Sequence, residues 1–155
     1  MPFNIVLFEP EIPSNTGNIG RLCVGTNAIL HLIKPMKFLI TDKYVKRAGL
    51  DYWNDLRLEI HDSWNAFAKK YHDTNKYYFT KKSEKIYTNI NFKKDDFLIF
   101  GPETRGLPQD LLKKNWDYAY SIPMSNKIRS INLSNSVAIV LYEGIRQVGS
   151  NSPQI

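Results

Sequence analysis

The residues able to do chemistry in this chain fall in three short segments. Residues 101–106 read GPETRG and follow the apolar run FLIF; residues 123–135 read PMSNKIRSINLSN and follow YAYSI; residues 15–21 read NTGNIGR and open a helical pattern. Together they offer glycines, backbone amides, hydroxyls, carboxamides, a carboxylate and arginines. Such groups bind and orient a polar ligand better than they attack one. The alternatives leave recognisable spacings, and these are missing: there is no GxGxxG after a strand, no GxxxxGK[ST], no HExxH and no GxSxG. His31, His61 and His72 are scattered along the chain with Cys23 as their only soft-ligand companion, so no metal of the His/Cys type is expected.

Those segments need a frame. Short apolar runs that stop at Gly or Pro are the pattern of buried parallel strands, and open α/β sheets bind ligands just beyond the C-terminal strand ends. Strands are expected at 4–8, 28–33, 76–80, 97–100 and 118–122. A first helix, capped by Ser14 or Asn15, carries Ile19, Leu22, Cys23 and Thr26 on one face and stops at Asn27. A second, capped by Asp62, carries Trp64, Phe67, Ala68 and Tyr71. Pro108 opens a short third helix, and 134–148 forms the last, with Val137, Ala138, Leu141, Ile145 and Val148 inward and Gly149 as C-terminal cap. Residues 34–58 are expected to hold only a short helix and a surface turn, and 151–155 a loose tail. The alternation of strand and helix predicts one α/β domain, a mostly parallel sheet with helices on both faces.

The whole chain sets outer bounds. Its 155 residues suffice for one domain with a real core, and 43% hydrophobic with 23% charged residues is ordinary for a globular protein. No apolar run approaches the roughly 18 residues of a membrane span, and the start lacks the pattern of a secretory signal. A lone Cys23 excludes an intrachain disulfide and fits the cytoplasm. The net charge of +6 fits a polyanionic partner such as RNA, and the aromatic content (9 Tyr, 8 Phe, 3 Trp) exceeds what the core needs, which points to a subunit contact or a stacking surface.

The segments NIVLFEPEIPSNTGNIGRLC, FGPETRGLP and IPMSNKIRSINLSNSVAIVLYEGIRQ, in this order and spacing, resemble the three signature motifs of the SPOUT superfamily of RNA methyltransferases. Within it the chain is similar to the small single-domain enzymes that methylate the ribose 2′-hydroxyl of the wobble nucleotide of tRNA, of the cytidine/uridine type. Ile131 stands where Met or Val is more usual, a volume-conserving change. The resemblance implies an α/β fold with a deep trefoil knot in its C-terminal part, S-adenosylmethionine as cofactor, and a homodimer with a composite active site working on the tRNA anticodon loop. It places the cofactor against Phe79, Thr80, Gly101, Glu103, Ile122, Met124, Ser130 and Leu133. Arg21 becomes the candidate catalytic residue, reaching the site of a partner subunit, with Asn15, Ser130 and Asn132 orienting the ribose or holding Arg21. Since arginine is a poor base on its intrinsic pKa, it is either perturbed or acts by orienting the hydroxyl and a phosphate. Lys43, Lys46, Arg47, Arg105, Lys127 and Arg129 are candidate RNA contacts.

Blander readings stand beside these. Arg21 can be a solvated helix residue, Glu103 can pair with Arg105 across a turn, and Ser134 is the favoured cap of the last helix. Competing functions are methylation of another tRNA or ribosomal RNA position, an RNA-binding module without turnover and, more weakly, a nucleotide-dependent oxidoreductase. Intact Arg21, Gly101, Glu103, Ser130 and Asn132 speak against a degenerate site.

Overall fold

Strand β1, Asn4–Phe8, is buried along its whole length, as a run with no polar face must be if both sides of a sheet are covered. The computed structural model, which describes residues 3–41, 43, 45, 47, 50–149 and 155, pairs it in parallel with β2, Ile29–Ile33, on one side and β5, Phe97–Phe100, on the other. With β3, Leu58–His61, β4, Lys76–Phe79, and β6, Ala119–Tyr120, they form a six-stranded sheet of order β3-β2-β1-β5-β4-β6, every pairing parallel. The expected α/β class is therefore observed. The expectation missed β3, because Leu-Glu-Ile-His carries two polar residues that a buried strand does not normally show. The last strand is also shorter than 118–122, continuing only as a bridge between Ile86 and Ser121.

Alternation along the strands builds two cores. Ile5, Leu7, Leu30, Leu32, Leu98 and Phe100 face helix α1, Pro13–Thr26, and helix α4, Leu133–Val148, meeting Ile19, Cys23, Val137, Val140, Leu141 and Ile145. Val6, Phe8, Ile33, Tyr78, Phe97, Ile99 and Ala119 face the other way, toward Phe67 of α2, Trp64–Lys70, and Leu112 of α3, Gln109–Lys114. Helices thus cover both faces. None among the described residues is long and apolar enough to cross a membrane.

Helix ends depart from expectation in instructive ways. The side chain that caps α2 is Ser63, accepting from the Ala66 amide, in place of Asp62. For α4 it is Asn132, whose Oδ1 accepts from the Ser134 and Asn135 amides, in place of Ser134. At the start of α1 neither Ser14 nor Asn15 caps; the helix begins at Pro13 with no cap from its own segment. Asn27 and Gly149 close α1 and α4 in the left-handed conformation, as expected.

The polar residues of β2 and β3 form one network. His31 and His61, far apart in sequence, meet with Nδ1 and Nε2 3.1 Å apart. Asn4 fixes which nitrogen carries the proton: its amide donates to the Asp95 carbonyl, which leaves its Oδ1 to accept from His31 Nε2–H at 3.1 Å. Neutral His31 then accepts at Nδ1 from His61. Glu59 lies beside the pair and accepts from Lys70 and the Tyr71 hydroxyl at 2.8 Å each, which ties α2 to β3. Burial would raise the Glu59 carboxyl, but these two bonds bring it below its ordinary value. Burial pushes His31 down to about 4 and lowers His61 as well.

A histidine with a depressed folded-state pKa contributes stability in full above its unfolded value and loses it as pH falls toward the folded one. The urea midpoint is therefore expected to fall as pH is lowered from about 6.5 toward 4. A His31→Asn variant is expected to show a shallower fall over the same window; an identical slope would remove His31 as a source.

Candidate active site

Loop 101–107 and loop 9–12 are bound by carboxylates from both sides. Glu103 accepts from the backbone amides of Glu11 and Ile12, at 2.8 and 3.0 Å, and from Asn15 Nδ2 at 3.3 Å. This anchors the entry to α1 at its N-cap residue Ile12 and the residue before it, from 88 to 92 residues away. A carboxylate suits the place, since helix N-termini leave amides unpaired and favour negative charge. In return Glu11 accepts from the Thr104 amide and hydroxyl, at 3.1 and 2.7 Å, and from Lys37 at 2.8 Å. The Lys37 bond first, and then Thr104, hold the Glu11 carboxyl down at about 2. This part of the clasp is intact above about 4.5 and is lost only as pH falls toward 2. Arg105 completes it by pairing with Glu9 at 3.2 Å, so Glu103 and Arg105 do not pair with each other across the turn.

Asn15 carries the connection onward. Its Oδ1 accepts from Asn132 Nδ2 at 3.1 Å, and Asn132 Oδ1 caps α4. One chain of hydrogen bonds, Glu103–Asn15–Asn132, therefore joins all three motif segments. It also assigns the amide groups of Asn15 and Asn132 to the scaffold. Helix α1, with three glycines among its 14 residues, has poor intrinsic propensity; this cap and the burial of Ile19 and Cys23 supply what propensity does not. Burial also raises the Cys23 thiol, leaving it an inert core group. Thr16 Oγ1 on the same turn is the one fully buried side-chain polar atom without a partner among the described residues.

Beyond the clasp, the adjacent strands β5, β4 and β6 end side by side at Gly101, Thr80 and Ser121–Ile122, with Thr80 N donating to the Tyr120 carbonyl at 2.9 Å. Strands about 4.8 Å apart make a rim close to 10 Å wide, comparable to a nucleoside. Its floor includes the stacked rings of Phe79 and Phe100, 4.8 Å between centroids. Leu133 is buried, Ile122 and Met124 are half-buried, and Ser130 is exposed. The small size of Gly101 has a cause inside the chain: a Cβ there would sit 2.3 Å from Leu107 N and 2.4 Å from the Gly106 carbonyl carbon. The loop folds back over this position through Gly106, whose φ of 68° is left-handed, and a Gly106 N–H bond to the Pro102 carbonyl. The rim residues suit an adenosine-like group; the Glu103 carboxylate is already engaged on α1.

Arg21 stands apart from this cluster. It is exposed, with its guanidinium carbon 5.2 Å from the centre of the Tyr52 ring, in the 3₁₀ turn Leu50–Asp55. Six residues along a helix turn it about 120° away from Asn15. Among the candidate RNA contacts, Lys43 and Arg47 are exposed and helical, and Lys46 lies outside the described residues. Lys127 and Arg129 are exposed on the segment after β6, where Lys81 Nζ donates to the Arg129 carbonyl at 2.8 Å. That cation and the pair Glu9 and Glu11 were not singled out from sequence; the acidic spacing in FEPEIP is the signal that could have found the latter.

One group could hold a metal by composition: His31, His61 and Glu59, whose nearest ligand atoms lie 3.1 to 3.8 Å apart. Their orientation is that of a hydrogen bond. The ring planes differ by 17°, and the 5.4 Å between centroids equals the N···N distance plus two ring radii, so the nitrogens meet head-on. An ion would require both rings to swing.

Replacing Glu103 separates scaffold from ligand binding. Glu103→Ala leaves two amides at the α1 terminus without their acceptor and is expected to lower stability by about 1–3 kcal/mol in chemical denaturation. Glu103→Gln, which keeps an acceptor oxygen, is expected to lose less. Unchanged stability in Glu103→Ala would dismiss the capping role.

Comparison with known proteins bears directly on this arrangement. The model of the SpoU rRNA Methylase family matches residues 2–142. A chain from Listeria monocytogenes is 50% identical over 150 residues, covering 95% of this chain and 89% of its own length. A Saccharophagus degradans protein named tRNA (cytidine(34)-2′-O)-methyltransferase is 45% identical over 148 residues, covering 95% and 96%. A solved structure described as giving insight into the 2-OH methylation of C/U34 on tRNA superposes with a TM-score of 0.89 at 39% identity, over 94% of this chain and 95% of that one. The resemblance read from the three motifs thus holds at the level of family and fold, and the chain belongs to the SpoU rRNA Methylase family.

Proposed function

We propose that this protein uses S-adenosylmethionine to methylate the ribose 2′-hydroxyl of nucleotide 34, a cytidine or modified uridine, in the anticodon loop of tRNA. The observation that carries this reading is the end-to-end likeness to a relative named for that reaction, which extends through all three segments that meet in the Glu103–Asn15–Asn132 chain. When bound, the cofactor supplies a methyl group already activated by its sulfonium charge. The protein's task is then positioning more than acid–base chemistry.

In this reading Phe79–Thr80, Gly101, Ile122, Met124 and Leu133 hold the cofactor at the ends of β4, β5 and β6, with Ser130 at the solvent edge. The clasp fixes the two loops that frame it. Arg21 comes from a second copy of the chain, where its planar fork of donors holds the 2′-hydroxyl and a neighbouring phosphate. The position of Arg21 on the side of α1 away from Asn15 supports this in-trans role, as do the exposed Ile139 and Tyr142 on the adjoining α4. Lys43, Lys46, Arg47, Lys127 and Arg129 guide the RNA, and Arg105 does so while paired with Glu9. The deep knot belongs to the same reading: after β6 at the sheet edge the chain returns across to α1, where Asn132 meets Asn15. A tRNA substrate and a lone, buried Cys23 fit the cytoplasm.

Labelled methyl from S-adenosylmethionine is expected to enter bulk tRNA and to be recovered, after digestion, in a 2′-O-methylated pyrimidine nucleoside. Label confined to ribosomal RNA would keep the chemistry and overturn the substrate. No label in either RNA, with cofactor bound, would favour a binding module. Arg21→Ala is expected to lose transfer by roughly 10²–10³-fold with cofactor affinity retained; equal activity would remove Arg21 from the mechanism. Tyr142→Asp is expected to give monomers by light scattering and to lose transfer with them. Dimers of that variant would remove Tyr142 from the contact, and an active monomer would overturn the composite site.

A further inference from the structure

On the face of the sheet opposite α1 and α4, helices α2 and α3 leave a groove of about 500 Å³ between them. Trp64, Tyr78 and Tyr118 provide its aromatic walls, and Lys76, Lys114 and Asn115 its polar ones. Among the described residues no carboxylate lines it. The adjoining depression past Thr74 and Asn75 sets Asp73, Asp95 and Asp96 against a single Lys94, so the side between α2 and α3 is the more favourable one for an anion. Tyr78 is 3% exposed, yet its hydroxyl makes no hydrogen bond among the described residues and lies at the groove. The Trp64 indole N–H is likewise unpaired within the described chain. Tyr118 is 56% exposed, the most open aromatic ring among the described residues.

This groove is separate from the candidate active site. Its residues on β4, Lys76 and Tyr78, lie on the opposite face of the sheet from Phe79 at the rim, and four strand residues put Lys76 about 13 Å from Thr80. The two are joined along the outer edge of β6 by cations. Lys85 donates to the carbonyl of Asp117 and lies 5.0 Å from the centre of the Tyr120 ring, and Lys81 donates to the Arg129 carbonyl beside the rim. Both amines bond to backbone carbonyls, and neither pairs with a carboxylate among the described residues.

We propose that the groove is a second RNA-binding site, which takes an unstacked nucleotide of the same tRNA whose target ribose is at the rim. The base stacks on Tyr118 with its polar edge toward the Tyr78 hydroxyl and Asn115, and the backbone follows Lys114, Lys85 and Lys81 to the rim. Aromatic stacking beside unpaired cations is the usual chemistry of single-stranded RNA binding and tolerates any base. The inference rests on the tRNA methyltransferase reading, and the test keeps the two apart.

Methyl transfer to tRNA would be measured for the full-length wild type, Tyr118→Ala, Tyr118→Phe and Lys114→Gln, alongside fluorescence-anisotropy binding of an end-labelled anticodon stem-loop RNA. Tyr118→Ala is expected to raise KM for tRNA and Kd for the stem-loop about tenfold, leaving kcat and cofactor affinity within about twofold. Tyr118→Phe, which keeps the ring, is expected to match wild type, and Lys114→Gln to weaken binding less than Tyr118→Ala and to reduce its salt dependence. Unchanged KM and Kd in Tyr118→Ala, with an active wild type, would overturn the second site alone. A wild type that binds RNA through Tyr118 but transfers no methyl would keep the site and overturn the function.

Discussion

The structure depends on the carboxylate of Glu103. A helix that starts with Pro, contains three glycines and has no cap from its own segment gains an acceptor for the amides of Glu11 and Ile12 at its entry, and the chain provides it from the loop after the neighbouring strand β5. Because the same loop is gripped in return through Thr104 and Arg105, the two halves of the chain are locked at the place where the strands open. Each carboxylate in the clasp accepts from a backbone amide, a cation or both. Bonds of this charge-assisted kind are stronger than neutral ones. Loops that would otherwise be the most mobile parts of an α/β domain are thereby fixed around the rim.

The opposite face follows another logic. There a buried polar network replaces part of the apolar core, with Asn4, His31 and His61 in series and Glu59 holding α2 through Lys70 and Tyr71. Low polarity makes each of these groups costly if unpaired, so the network specifies one register of β2 on β3 and one seat for α2. The polar cluster that looks most like a metal centre is an element of folding, and the aromatic groove beside it is the feature of that face with groups left over for a ligand.

Much of this was legible in the chain. Strands at 4–8, 28–33 and 97–100 announced themselves as apolar runs closed by turn residues, and the α/β order followed. The three motifs located the rim. What stayed hidden was long-range: a cap given by Glu103 to a helix some ninety residues earlier has no local signature, so local capping rules pointed to Ser14 and Asn15. Strand β3 was missed because Glu59 and His61 look like surface residues until His31, Lys70 and Tyr71 are brought against them. The resemblance set Gly101 against the cofactor, and the structure adds a cause for its small size that no local pattern shows, since its own loop fills the space of a side chain.

The clasp changes what the motif residues say about descent. Glu103, Asn15 and Asn132 hold loops and helix ends to one another, and Gly101 is small so that a loop can close. A related chain that had given up methyl transfer would still be stabilised by all four. Their presence therefore testifies to a sound frame and does not by itself report turnover.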